Sequence, residues 1–358
     1  MADQNNHIQI EKLRLPVDSM DDALHRAFSE YEAENPQYGR DWLHNLTLHA
    51  LDEGDEAVLY VARLSSDEFV ACAINIGSGH KHATSLSTFY TSAYSPVVRS
   101  DNPEALFVAL FQYLAREEGF ATLTLAPMDS RAPHFTVQRD ALVKAGWKGC
   151  HAFFCFGNWI HETDGADYAT YLASRPSKLR STVRRKTKKF LAQDAGCLEL
   201  ITDSSELEDA IAQYTTVYNN SWKNEEPYRD FVPQLLRMAA RRGWLRLGIA
   251  SYENRPVASQ IWLVHSGTAY IFKLAYHEDY KQLSPGTVLT AYMMQRVIEE
   301  DHIDRIDYLS GDDVYKADWM TERRERHGIA AYNPRSLTGV TMLTGHRLKH
   351  LLKKLARR

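Results

Sequence analysis

The chain has 358 residues, 44% hydrophobic and 25% charged, enough for two cored domains of ordinary globular composition. The 42 Lys and Arg against 46 Asp and Glu leave a formal net charge of -4, which singles out no partner, and 18 Gly and 12 Pro exclude collagen-like or low-complexity character. No apolar run reaches the length of a membrane span, Met1–Pro16 lacks the order of a signal peptide, and Cys72, Cys150, Cys155 and Cys197 make no CxxC pair, so a reduced, cytoplasmic protein is expected.

In chain order, a β-rich run at 58–63 breaks at Ser65–Glu68 and resumes at 69–74, the signature of a hairpin. Asn102–Glu118 places Leu106, Leu110, Phe111 and Leu114 at helical spacing, and a short strand follows at 121–125. The same succession returns later. Strands at 245–250 and 256–261 flank a Glu253-Asn254-Arg255 turn, a further strand runs over 270–276, a helix spans Ser284–Glu300, and a strand follows at 306–309. Ala62 stands to Ala250 as Val70 stands to Val257, within one residue of the same offset. Two copies of one architecture are expected, with a boundary at the turn chemistry of Glu162–Gly165.

Between the copies, Thr170–Phe190 crowds Arg175, Lys178, Arg180, Arg184, Arg185, Lys186, Lys188 and Lys189 without an acid among them. Such a block reads either as a solvated helix face or as a seat for phosphates of a cofactor, a tRNA or an anionic carrier. At the far end, Leu348, Leu351, Leu352 and Leu355 share a helical face among Lys and Arg, which suits a surface helix packed on its own protein. HExxH, P-loop and GxSxG signatures are absent. Gly77-Ser78-Gly79-His80-Lys81-His82 puts a histidine where a dinucleotide fingerprint needs glycine, and His80 and His82 read as exposed turn residues; no metal is expected.

The chemistry-bearing stretch is Tyr270–Trp319. Ser284 sits where an N-cap belongs and Pro285 at the first helical position, so the free amides beyond them suit a diphosphate, and Gly286 admits it closely. The strand at 306–309 then delivers Gly311-Asp312-Asp313-Val314-Tyr315-Lys316 to its end, either as ligand-facing groups or as a self-satisfied turn.

Ser221-Trp222-Lys223, Arg255-Pro256-Val257-Ala258, Leu274-Ala275-Tyr276, Leu283-Ser284-Pro285-Gly286-Thr287 and Gly311–Lys316 occur in that order over about half the chain. In them the sequence resembles the GNAT acyltransferase superfamily, in its CelD-type, FemAB-related branch. The resemblance implies an α/β fold of tandem GNAT-like domains, each a twisted mixed β-sheet flanked by helices. Its expected limits are a divergent domain over 1–165, an acyl-CoA-binding catalytic domain over 166–340 and a basic amphipathic helix over 341–358. It implies an N-acyltransferase moving an acetyl or longer acyl group from acyl-CoA to an amine, in cell-envelope or polysaccharide metabolism. Gln282–Thr287 keeps only part of the Gln/Arg-x-x-Gly-x-Gly/Ala loop of ordinary GNAT enzymes. Two alternatives stay open: a FemAB-like transferase using aminoacyl-tRNA, for which Lys178–Lys189 would bind tRNA or an anionic carrier, and a non-catalytic polyanion-binding module.

On this reading Asp312, with a carboxyl raised by partial burial, is the base; Tyr315 protonates the departing thiolate or orients the acceptor; Lys316 meets a phosphate or the acceptor. Phe272, Lys273 and Leu274 carry backbone groups toward the donor, Ser284, Gly286 and Thr287 hold its diphosphate, and Trp222, Lys223 and Tyr276 wall the acceptor pocket.

Overall fold

The computed structural model describes residues 8–355 apart from 18–19 and 193–194, with side chains as far as residue 348. The chain forms two compact units, one running up to Phe156 and again from Glu325, the other spanning Gly157–Arg324. The expected limits fell at 165 and 340; the structure divides at 156 and 324 instead, because the chain returns to the first unit through its last strand.

In the first unit, β1 (Gln9–Arg14) leads to helices α1 (Asp22–Glu34) and α2 (Arg40–His49), and then to the hairpin of β2 (Glu56–Ser65) and β3 (Glu68–Ile76). Short strands β4 (His82–Ser85) and β5 (Val97–Arg99), helix α3 (Pro103–Arg116), β6 (Thr122–Asp129), α4 (Pro133–Lys144) and the start of β7 (Lys148–Glu162) follow. The sheet order is β1–β2–β3–β4–β6 and then β13 (Glu322–Tyr332), with β5 beside β3; β4 and β6 pair in parallel and the other pairs named here are antiparallel. The apolar stripe read in α3 is its buried face: Leu106, Phe107, Leu110, Phe111 and Leu114 pack on Val58, Tyr60, Val70 and Cys72 of the hairpin. A final helix, α11 (Leu337–Leu355), packs in this unit too; a Cβ on Gly149 would strike Leu343. Leu351, Leu352 and Leu355 of the expected amphipathic face lie outside the residues whose side chains are described.

The second unit opens with α5 (Tyr168–Ala173) and the basic α6 (Ser177–Phe190), then β8 (Gly196–Ile201), α7 (Leu207–Asn219), α8 (Phe231–Arg241) and β9 (Leu245–Tyr252). Glu253 and Asn254, both left-handed (φ 51° and 60°), turn β9 into β10 (Arg255–His265), the geometry a tight hairpin requires. Ser266 and Gly267 turn it into β11 (Thr268–Tyr276), followed by α9 (Pro285–Glu299), β12 (Arg305–Asp307) and the single turn α10 (Lys316–Trp319). Its sheet runs β7–β12–β11–β10–β9–β8, antiparallel except for β11 beside β12. Leu179 and Val183 of α6 join Val288, Leu289, Met293 and Val297 of α9 in one core on one face of this sheet, while α7 and α8 cover the other. Both units are thus mixed sheets flanked by helices, as the resemblance implied. Among the described residues no helix is long and apolar enough to cross a membrane.

Candidate active site

The register between β10 and β11 slips once. Ile261 faces Lys273 but Trp262 faces Ile271, which leaves Phe272 as the extra residue of a bulge. A bulge changes which residues share a face. Ala269 and Ile271 before it and Leu274 and Tyr276 after it therefore all join the core on the α9 side. Phe272 and Lys273 turn the other way: Phe272 toward Phe231 of α8 (6.5 Å between rings), Lys273 against the ring of Tyr218 of α7 (5.2 Å).

β11 and β12 pair only over Thr268–Tyr270 and Arg305–Asp307. One residue later, the Tyr308 amide donates to the carbonyl of Trp159 on β7 (2.8 Å). The two strands part there, and a cleft of about 650 Å³ opens between Leu274 and Tyr276 of β11, Gly286 and Thr287 of α9, and Tyr308 and Tyr315 beyond β12.

At the start of α9, Pro285 fills the first turn, but Ser284 lies in the left-handed region (φ 55°) and its hydroxyl makes no capping bond, contrary to the expectation of a serine-capped start. The amides of Gly286 and Thr287 have no intrahelical acceptor, and their positive potential faces the cleft. A Cβ on Gly286 would come within 3.2 Å of Tyr276 Cδ1, a tight contact from which the Tyr276 ring would have to shift. The helix start is fixed from below. Trp262 Nε1 donates to Gln260 Oε1 (2.9 Å), and Gln260 Nε2 donates to the Gly286 carbonyl (3.1 Å) and Thr290 Oγ1 (2.7 Å), all in the core.

The turn after β12 is held as firmly. Leu309 is left-handed (φ 51°) without being glycine; its amide donates to Asp307 Oδ1 (2.7 Å), and Asn158 Nδ2 donates to the same oxygen (2.6 Å) and to the Leu309 carbonyl (3.0 Å). Tyr308 and Tyr315 meet edge to face, their ring centroids 5.9 Å apart. Burial pushes the Tyr315 phenol up to about 12, aided by the nearby Asp313 carboxylate, and holds Tyr308 well above its ordinary value.

Of the expected catalytic trio, Tyr315 lines the cleft and the other two do not. Asp312 forms a bidentate pair with Arg323 (Nε to Oδ1, 2.7 Å), and a Cβ on Gly157 would collide with its carboxylate. The Arg323 hydrogen bond holds the Asp312 carboxyl below the usual carboxylate range, the opposite of the elevation a base was expected to have. Lys316 is buried and donates to the Ser310 carbonyl (2.6 Å), so its ammonium braces the turn instead of facing a phosphate; burial pushes its pKa down. Asp313, the neighbour passed over, is the carboxylate that lines the cleft.

The donor-side expectations divide likewise. Leu274, Gly286 and Thr287 line the cleft, whereas Phe272 and Lys273 point toward the other face, Lys273 in a buried ion pair with Glu226. Trp222, Lys223 and Tyr276 come together: the Trp222 ring packs at a tilt against Tyr276 (4.5 Å between centroids), and the Lys223 ammonium lies over the Trp222 ring (5.8 Å). On α6, Lys178 and Thr182 line the cleft, and Lys186 Nζ donates to the Gln282 carbonyl (2.6 Å), tying the basic helix to the loop before α9. Arg175 is buried, donating to the carbonyls of Trp319 and Met320 (3.2 and 3.0 Å). Tyr308 and Gln260 carried no signal in the sequence, because only tertiary pairing brings them here, whereas Lys178 belongs to the basic block already read as a possible phosphate seat. His80 and His82 are exposed, and the described residues contain no cluster of three or more potential metal ligands.

Residues 177–317 match the family described as an acetyltransferase (GNAT) domain. The second unit is GNAT-like. No curated protein sequence matches the chain. Among solved structures, a tandem GNAT protein from the clavulanic acid biosynthesis pathway is 14% identical, with 91% of this chain and 99% of that one covered at a TM-score of 0.53. FemX is 12% identical, covering 89% and 96% at a TM-score of 0.55. L-PGS from Bacillus licheniformis is 14% identical, covering 90% and 95% at 0.51. The chain resembles the GNAT superfamily in its FemAB-like branch, and its architecture is the tandem GNAT one. The matched segment contains most of the cleft lining, from Lys178 to Tyr315.

Proposed function

We propose that residues 157–324 catalyse acyl transfer from an acyl-CoA thioester to an amine. The observation that carries this reading is the opening where β11 and β12 part beside the uncapped start of α9. A thioester donor with a diphosphate needs anion-binding amides, a slot edged by unpaired strand groups, and an acid for the departing sulfur. The Gly286 and Thr287 amides, flanked by Lys178, meet the first need. The edge of β11 beyond Tyr270, unpaired toward β12, meets the second, and its amides near Phe272 stabilise the oxyanion. Tyr315, protonated at neutral pH, meets the third.

An ammonium has no lone pair, so Asp313 steers the protonated acceptor inward and passes its proton to water. The free nitrogen attacks the thioester carbon, the C–S bond breaks, Tyr315 gives its proton to the sulfur, and the proton shed by the nitrogen as the amide forms is returned to Tyr315. The test is the melting temperature of the whole protein with CoA and acyl-CoAs. At about 100 times Kd, mass action predicts about 3 kcal/mol of stabilisation. An unmoved melting curve removes this reading.

A second reading, with charged tRNA as donor, is favoured by one feature: α6 presents exposed Arg184, Arg185, Lys188 and Lys189 along the helix whose Lys178 lines the cleft. Salt-sensitive binding of charged tRNA, together with indifference to CoA, would select it.

A further inference from the structure

The lysines around the cleft differ in one respect. Lys273 is paired with Glu226, Lys316 with the Ser310 carbonyl, and Lys186 with that of Gln282, while Lys178, the other lysine lining the cleft, is exposed to solvent. Lys223 is half-buried and lines the cleft, yet among the described residues its ammonium has neither a hydrogen bond nor an ion pair. Its nearest ring is Trp222. Of the two carboxylates that act on it from a distance, Glu226 is held by Lys273 and Tyr218, and Asp313 lines the cleft with Lys316 3.7 Å away. Burial pushes the Lys223 pKa down, as it does for a cation lacking a partner.

It enters the cleft from a different element than the amides proposed for the donor's phosphates. Lys223 stands on the loop after α7, the helix on the face opposite α9 and α6, whereas the anion-binding amides belong to α9. Beside it, the Trp222 ring, 48% exposed, offers a flat apolar surface, and Asp313 offers a carboxylate to an ammonium. The cleft thus presents a vacant cationic contact, a stacking surface and an anionic contact on the acceptor side.

We infer that the acceptor is an amine that also carries an acidic group, a carboxylate or a phosphate ester, and that Lys223 binds that group. This rests on the transferase reading. It explains why a lysine is kept half-buried without a protein partner: the acid of the acceptor completes it. Lysine, a compact point charge, suits either acid.

The experiment uses the full chain and two amine pairs that differ only in the acid: glucosamine with glucosamine 6-phosphate, and phenethylamine with phenylalanine. With acetyl-CoA as donor, the wild-type protein prefers the acidic member of at least one pair by about tenfold in kcat/KM, the size of one charge-assisted contact. Lys223→Met collapses that preference and Lys223→Arg retains most of it. No preference in the wild-type protein overturns the inference. So does a Lys223→Met variant that keeps the preference but binds CoA more weakly by calorimetry, because Lys223 would then belong to the donor's phosphates. Should the wild-type protein bind no CoA at all, the transferase reading falls first and this inference with it.

Discussion

In the first unit, β4 and β6 pair in parallel over His82–Thr84 and Thr122–Thr124; in the second, β11 and β12 pair over an equally short stretch. What happens next separates them. Past its paired stretch, the first unit is sealed: Ser85 Oγ accepts from the Ala126 amide (2.9 Å) and donates to its carbonyl (2.6 Å), Ser87 Oγ donates to that carbonyl (2.7 Å), and the Tyr94 amide donates to the Pro127 carbonyl (2.6 Å). Gln37 Oε1 locks the same loop by accepting from Ser92 and Ala93. The second unit has nine residues of β11 where the first has four of β4, and its longer strand runs on past the end of β12 with one edge free. One architecture therefore gives a closed corner or an open one according to the length of a single strand and a few hydroxyls.

The largest test of this contrast is Tyr315→Phe. Losing the acid should lower kcat by about a hundredfold with CoA affinity, read by calorimetry, near that of the wild type; an unchanged kcat removes Tyr315 from the chemistry. Next, Gln260→Ala should cost about 2 kcal/mol in denaturant unfolding, since it leaves the buried Trp262 Nε1 unpaired, and should also weaken CoA binding by loosening the start of α9. Its counterpart, Ser85→Ala, should cost about 1 kcal/mol by stripping the Ala126 amide of its acceptor, with CoA binding untouched. If both variants impair CoA binding alike, the contrast between the corners fails.

The smallest effect concerns Asp312. Because Arg323 lowers its folded-state pKa, the pair contributes stability that is present above the ordinary carboxylate pKa and is lost as pH falls through the folded value. The pair is partly solvent-exposed, so Asp312→Asn should remove less than about 1 kcal/mol at neutral pH and flatten the acid limb of the melting profile. Turnover should stay close to that of the wild type; a collapse would restore Asp312 as the base.

The repeated hairpins, both long helices and the strands after them were legible because each follows from local periodicity. The cleft residues were legible only where strand alternation held. At the Phe272 bulge it fails, so Phe272 and Lys273 fall on the wrong face for a donor although Leu274 and Tyr276 do not. Choosing between Asp312 and Asp313 needed Arg323 and Gly157, one beyond the motif and one far before it. Nothing in the order of residues marks Lys316 as buried, since its partners are main-chain carbonyls.

The return of the chain to the first unit at Glu325 has a practical corollary. The GNAT-like unit is nested inside the other as one uninterrupted insert, so a single proteolytic nick near residue 324 cannot release it cleanly. Such a cut would fall within β13 just ahead of its ladder to β6, which begins at Arg326, so the residues after it would keep their hydrogen bonds to the first unit.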